Sequence, residues 1–129
     1  MAAKRAFISF DFEHDEDLRN LLVGQAKNPD SPFSVQDWSL REPLSGNWKA
    51  GVRDRIRRTD VTVVICGEHT NSATGVSVEL DITRDEGNPF FLLHGRRDKQ
   101  CQRPRSAQAT DKMYRWTWEN LKRLIGGAR

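Results

Sequence analysis

One carboxylate has neighbours that suggest chemistry. Glu79 sits in Gly75-Val76-Ser77-Val78-Glu79-Leu80, near the start of a segment that reads as helix, with apolar residues at Val76, Val78 and Leu80. A carboxylate aimed into a partly dry cleft accepts hydrogen bonds from sugar hydroxyls and stabilises positive charge growing at a ribose carbon. The same spacing also suits a helix-surface carboxylate interacting with the dipole. The stretch approaches a G-x-S-x-G nucleophile elbow, but Glu79 stands where the closing glycine belongs.

Two of the four tryptophans flank a polar loop, Arg41 to Gly46. Trp38 offers an aromatic face on which a base or a nicotinamide ring could stack. Trp48 shares four-residue spacing with Val52 and Ile56, as a core residue would. His14, His69 and His94 lie far apart in the chain and lack metal-ligand spacing. Asp11, Glu13, Asp15 and Asp17 alternate, yet the glycine and closing Glu of a calcium-binding loop are missing. Neither G-x-x-x-x-G-K-[ST] nor G-x-G-x-x-G occurs, so nothing supports a P-loop or a Rossmann turn. A phosphoacceptor receiver needs an aspartate after its third strand, where this chain has Cys66-Gly67-Glu68.

The elements that must position these groups alternate. Ala6 to Phe10 reads as a buried first strand, and His14 to Asp17 opens a helix with acids at the positive end of its dipole. Leu18, Leu21, Leu22 and Gln25 share one face of that helix, which Asn28 to Pro32 terminates. Phe33-Ser34-Val35 is a weak second strand, and Trp48 to Ile56 a second helix. Val61 to Cys66 is almost continuously apolar and β-branched, as a strand covered on both faces should be. Thr74 is placed to cap a third helix that carries Val78 and Ile82 and ends at Gly87. Pro89 to Leu93 is a further strand, His94 to Asp111 a basic loop, and Met113-Tyr114 a weak fifth strand. Thr117 caps a last helix with Trp118, Leu121, Leu124 and Ile125 inward.

Alternation with crossovers of this length predicts an α/β fold: a flavodoxin-like three-layer sandwich around a parallel sheet of 4–5 strands. Ligands of such sheets bind at the carboxyl ends of the strands. That rule gathers Ser9 to Asp11, the Trp38 loop, Gly67 to Ser72 and the start of the third helix.

The bulk composition fits this reading. At 129 residues the chain suits one domain, residues 1–129, with 36% hydrophobic and 30% charged residues, an ordinary globular balance. No signal-peptide pattern or membrane-length apolar run is present, and the two cysteines show no framework spacing, so a cytoplasmic protein is expected. Cys66 reads as a buried thiol and Cys101 as a loop residue. The net charge of +3 does not by itself announce a nucleic-acid binder. The charge is uneven, however. One basic run covers Arg53, Arg55, Arg57 and Arg58, and another covers Arg96, Arg97, Lys99, Arg103 and Arg105. These read as solvated faces, or as the seat of a phosphate-bearing ligand or partner.

Taken together, the segments resemble a TIR domain, specifically the TIR-like domain of the bacterial Thoeris anti-phage defence system. Ala6-Phe7-Ile8-Ser9-Phe10-Asp11 resembles the first TIR box. Ser39 to Gly46 resembles the loop after the second strand, and Trp48 to Ile56 with Val61 to Cys66 the helix and strand that follow. Ser77-Val78-Glu79-Leu80 resembles the segment that carries the catalytic glutamate of NAD-consuming members. Gly75 and Val76 stand where many catalytic members have Trp-Cys, and Phe10 where Tyr is usual.

The resemblance implies an NAD+ nucleosidase or ADP-ribosyl cyclase of the hydrolase type, with NAD+ as substrate and no separate cofactor or metal. Glu79 would be catalytic. Ser9, Phe10 and Asp11 would line the floor, Asp37 and Trp38 a lid, and Trp48 and Ser77 would complete the substrate contacts. It also implies self-association and a cyclic ADP-ribose-type messenger that reaches an effector, with neither membrane nor nucleic acid as partner. Two other classes remain open: a non-enzymatic TIR-type interaction module, and a nucleotide- or nucleic-acid-binding flavodoxin-like domain using Arg96 to Arg105.

Overall fold

The computed structural model describes residues 4–35 and 48–127. The expected loop through Arg41 to Gly46 lies outside them. Along the chain run β1 (Lys4–Ser9), α1 (Glu16–Ala26), β2 (Phe33–Val35), α2 (Trp48–Arg57), β3 (Val61–Cys66), a 3-10 turn at Thr70–Ser72, α3 (Thr74–Asp85), β4 (Phe90–His94), β5 (Met113–Arg115) and α4 (Trp118–Ile125). The strands form one sheet in the order β2-β1-β3-β4-β5, with every pairing parallel. This is the flavodoxin-like order. Its topological switch lies between β1 and β3, where successive crossovers turn to opposite sides.

Side-chain alternation along the strands sorts the core into two sides. Val61, Val63 and Ile65 of β3 pack with Ala6, Phe91 and Leu93 under α1 and α4, which contribute Leu18, Leu22, Leu121, Leu124 and Ile125. Val64 and Cys66 point the other way, beneath Val76 and Leu80 of α3. On that same side Val52 and Ile56 of α2 meet Ile82 and the ring of Phe7. All six residues of β3 are buried, as its unbroken apolar run predicts.

Several local expectations need correction. Thr74 is the first residue of α3 and not its cap; Ala73 holds the N-cap position, with extended backbone and no side-chain hydrogen bond. Thr117 does cap α4, its hydroxyl accepting from the Asn120 amide at 3.0 Å. In α1 the inward face is Leu18 and Leu22, while Leu21 is 55% exposed and Arg19 is buried instead. The 100° step of a helix carries Leu21 to the edge of the stripe. Gly87 closes α3 with φ +70, a backbone conformation that favours glycine. Among the described residues no helix is long and apolar enough to cross a membrane. Cys66 and Cys101 are both free thiols. Burial pushes the Cys66 thiol well above its usual range, and Cys101 packs against the same cluster.

One close approach yields a stability prediction. Gly95 follows β4, and a methyl added there would stand 2.7 Å from Leu18 Cδ1 and 2.8 Å from the Cys66 carbonyl oxygen. That carbonyl accepts the Gly95 amide at 2.8 Å, so the backbone has nowhere to retreat. Gly95→Ala is expected to destabilise the protein by roughly 1–3 kcal/mol, as overpacked cores do. A urea titration reads this as a lowered midpoint with unchanged slope. An unchanged midpoint would mean that the contact relaxes freely.

Candidate active site

Strand parity places Ser9 on the α2–α3 side of the sheet, two residues beyond Phe7 and at the carboxyl end of β1. It is fully buried and stands beside Val64 of β3, next to the topological switch. Helical spacing delivers its partner. Val76, Leu80 and Thr83 of α3 are buried, and Glu79 falls three residues after Val76 and four before Thr83, on the same stripe. Both ends of that stripe are anchored. Val76 and Leu80 pack on β3 and β4, and the Thr83 hydroxyl donates to the Glu79 carbonyl at 2.8 Å. The Glu79 carboxylate is thereby turned toward β1, where the Ser9 hydroxyl donates to its Oε1 at 2.6 Å.

This carboxyl group is electrostatically unusual. Burial pushes its pKa up to about 7, and the Ser9 hydrogen bond and the positive charge of Arg55 oppose that rise. Desolvation dominates, so near neutral pH the group divides between acid and carboxylate. Ser9 occupies Oε1 and fixes the plane of the group. Arg55 was missed as a site residue in the sequence, although seven residues separate it from Trp48, a spacing that shares a helix face.

The other site expectations fare differently. Trp48 begins α2 and packs with Val52, Ile56 and Ile82; its ring also lies over the first turn of α3, where a methyl on Gly75 would stand 3.8 Å from it. An aromatic side chain from α2 thus covers the turn that leads to Glu79. Phe10 packs toward the α1–α4 core, its ring 5.8 Å from that of Phe12, and does not converge with Ser9 and Glu79. Asp11 is buried, with Oδ2 2.7 Å from His14 Nδ1 and Oδ1 accepting the Glu13 amide at 3.1 Å. Its carboxylate holds the turn after β1 together. Ser77 lies two residues from Glu79, roughly 200° round the helix. Its carbonyl accepts from the Ser106 hydroxyl at 2.7 Å, and its own buried hydroxyl has no partner among the described residues. Asp37 and Trp38 lie outside the described residues.

The histidines correct the expectation of wide separation. His14, after β1, and His69, after β3, stack with ring centroids 4.1 Å apart. Adjacent parallel strands bring their following loops together, which linear spacing does not display. The Asp11 hydrogen bond, with help from nearby carboxylates, raises the His14 pKa above its usual value. Asp11, Glu13 and His14 could present three ligand atoms to a metal ion. Asp11 and His14 are already paired with each other in the turn.

The first basic run also resolves into structure. Arg53 donates to Asp85 and Glu86 at 2.7 and 2.6 Å, Arg57 donates to Glu86, and Arg58 pairs with Asp54. Arg53 and Arg57 thus clamp α2 to the end of α3, and Arg58 is paired with its own helix. At the carboxyl end of β1 the buried Ser9 hydroxyl, the part-buried Glu79 carboxyl and the nearby charge of Arg55 converge on the α2–α3 face. Compared with known proteins, residues 7–100 match the family model described as Thoeris protein ThsB, TIR-like domain. No curated protein matches the chain.

Proposed function

Because the chain belongs to the family of the ThsB TIR-like domain, and with it to TIR-type defence proteins, we propose that it cleaves the nicotinamide–ribose bond of NAD+ and makes a cyclic ADP-ribose-type messenger for an effector. The observation that carries this reading is the Ser9–Glu79 pair: a carboxyl group held at 2.6 Å by a buried hydroxyl, with a pKa of about 7, at the switch point of the sheet.

In the proposed reaction the C1′–N1 bond of the nicotinamide riboside breaks heterolytically. Its electron pair goes to the ring nitrogen, so neutral nicotinamide leaves and the positive charge passes to the ribose. The ionised Glu79 carboxylate faces that charge. Its interaction strengthens as the sugar becomes oxocarbenium-like, which is the condition for lowering the barrier and not merely binding substrate. Ser9 keeps the carboxylate oriented, leaving Oε2 for the ribose hydroxyls. Water, or a nucleophilic group of the same molecule, then captures the sugar carbon and releases a proton. Capture from within the molecule gives the cyclic product. Trp48 would shelter the nicotinamide end of the crevice.

The test incubates purified protein with NAD+ and separates the products by chromatography, alongside extracts of phage-challenged cells that express it. The expected result is nicotinamide together with an ADP-ribose derivative. NAD+ left intact in both arms would favour a non-enzymatic interaction module.

A further inference from the structure

We propose that the chain carries a second ligand site, at the β4–β5 edge of the sheet away from the Ser9–Glu79 pair, which binds a nucleoside phosphate. A cavity of about 570 Å³ opens between α1 and the carboxyl ends of β4 and β5. Its size is that of ordinary small-molecule pockets. Leu21 and Gln25 wall it from α1, Arg97 follows β4, and Met113, Arg115 and Trp116 come from β5 and its continuation. Trp116 packs with the α1–α4 core and Met113 with the cluster under α3, so the cavity sits at the carboxyl end of the β4–β5 edge, whereas Glu79 meets Ser9 of β1.

The charges in the cavity are what point to a ligand. Arg96 is spent on Asp15, Asp17 and the His14 carbonyl, and Arg103 on the carbonyls of Gln108 and Asp111. Arg53, Arg57, Arg58 and Arg84 all hold carboxylates. Arg97 and Arg115, by contrast, are exposed and pair with no carboxylate among the described residues. They line the same cavity, and among the described residues none that lines it is acidic. Parallel register sets the juxtaposition: Arg115 stands opposite His94, three residues before Arg97. Two guanidinium groups without counter-ions around one concavity suit a doubly charged anion, and guanidinium forks match phosphate oxygens.

The apolar half of the cavity selects what the phosphate is attached to. The Trp116 indole is fixed by its Nε1–H donating to Gln25 Oε1 at 2.9 Å and by packing on the core. Leu21, 55% exposed, lines the cavity with it. A rigid aromatic face next to exposed aliphatic surface suits a planar base. The cavity thus pairs an anion seat with a ring seat, and it draws Arg97 from the second basic run.

The test titrates the full chain with AMP, ADP, adenosine and inorganic phosphate at physiological salt. Binding is followed through the Trp116 indole N–H resonance, which is identified by its loss in Trp116→Phe. AMP or ADP is expected to shift that resonance with a dissociation constant below about 1 mM. Adenosine and phosphate alone should bind at least tenfold more weakly. Arg97→Ala and Arg115→Ala should each weaken AMP binding by about tenfold or more with Tm unchanged, since both side chains are exposed. Glu79→Gln should leave it unaltered, which separates this site from the proposed catalytic one. The proposal is overturned by any of three results: no shift at 5-fold above about 1 mM nucleotide, a shift that survives both arginine substitutions, or phosphate alone binding as tightly as AMP.

Discussion

Replacing Glu79 with Gln is expected to lower nicotinamide release from NAD+ by about 100-fold or more, the scale on which one preorganised electrostatic group acts in a transition state. The substitution keeps the shape, and its amide oxygen still accepts the Ser9 hydroxyl, so KM should change far less than kcat. Stability should move the other way. The folded pKa of about 7 lies above the ordinary value of 4.5, so the native state holds a proton that the unfolded chain releases between those values. Stability therefore falls as pH rises from about 4.5 to 7, and the ionised carboxylate remains a cost above that window. Glu79→Gln removes the cost. It should be the more stable protein at pH 8, by at most about 3 kcal/mol and less to the extent that water reaches the carboxylate. The gain should fade toward pH 5. Urea titrations at the two pH values read this difference directly. An inactive variant that is also less stable at pH 8 would point to a damaged fold and not to lost chemistry.

The largest stability loss is expected from Arg96→Ala. The Asp15 side chain is 1% exposed, and its Oδ1 receives the Arg96 guanidinium at 3.1 Å, while Oδ2 has no hydrogen-bond partner. Burial raises the Asp15 pKa even though Arg96 opposes the rise. Without the guanidinium, a buried carboxylate faces no counter-charge, a change that typically costs about 3–5 kcal/mol. The bonds from Arg96 to Asp17 add little, because Asp17 is largely exposed. Sign and window follow from the raised pKa of Asp15. The loss should be greatest at neutral pH, where the carboxylate must stay charged, and should shrink in acid, where it takes up a proton. Adding Asp15→Asn to Arg96→Ala should restore much of the stability, since the buried charge is then gone. Thermal melts of the single and double variants at pH 5 and pH 7.5 decide the matter. A double variant no more stable than the single one would show that Arg96 acts through packing alone.

How much of this the amino-acid order revealed depends on the range of the interaction. β3 was legible because six consecutive buried residues need no partner to be recognised, whereas β2, with Phe33 alone buried, read only as a weak strand at Phe33–Val35. Glu79 was legible because it sits among apolar residues at core spacing on α3. Contacts between loops and between distant charges were not. His14 and His69 meet only because β1 and β3 are neighbours. Arg96 and Asp15 are separated by 81 positions, and Arg57 and Glu86 by 29. The basic runs therefore looked like free surface, when much of their charge is internal. Leu21 erred for a local reason: a residue at the margin of an apolar stripe is inward or outward according to what covers it, and here α1 borders the open cavity lined by Trp116.

The pH dependence of nicotinamide release by the wild-type protein tests the catalytic role of Glu79 most directly. The rate should rise through an acid limb whose midpoint in the free enzyme, read from kcat/KM, lies near 7. That midpoint should coincide with the Glu79 carboxyl titration followed by carbon NMR. A rate that stays level from pH 5 to pH 8 while Glu79 changes its charge would contradict the assignment.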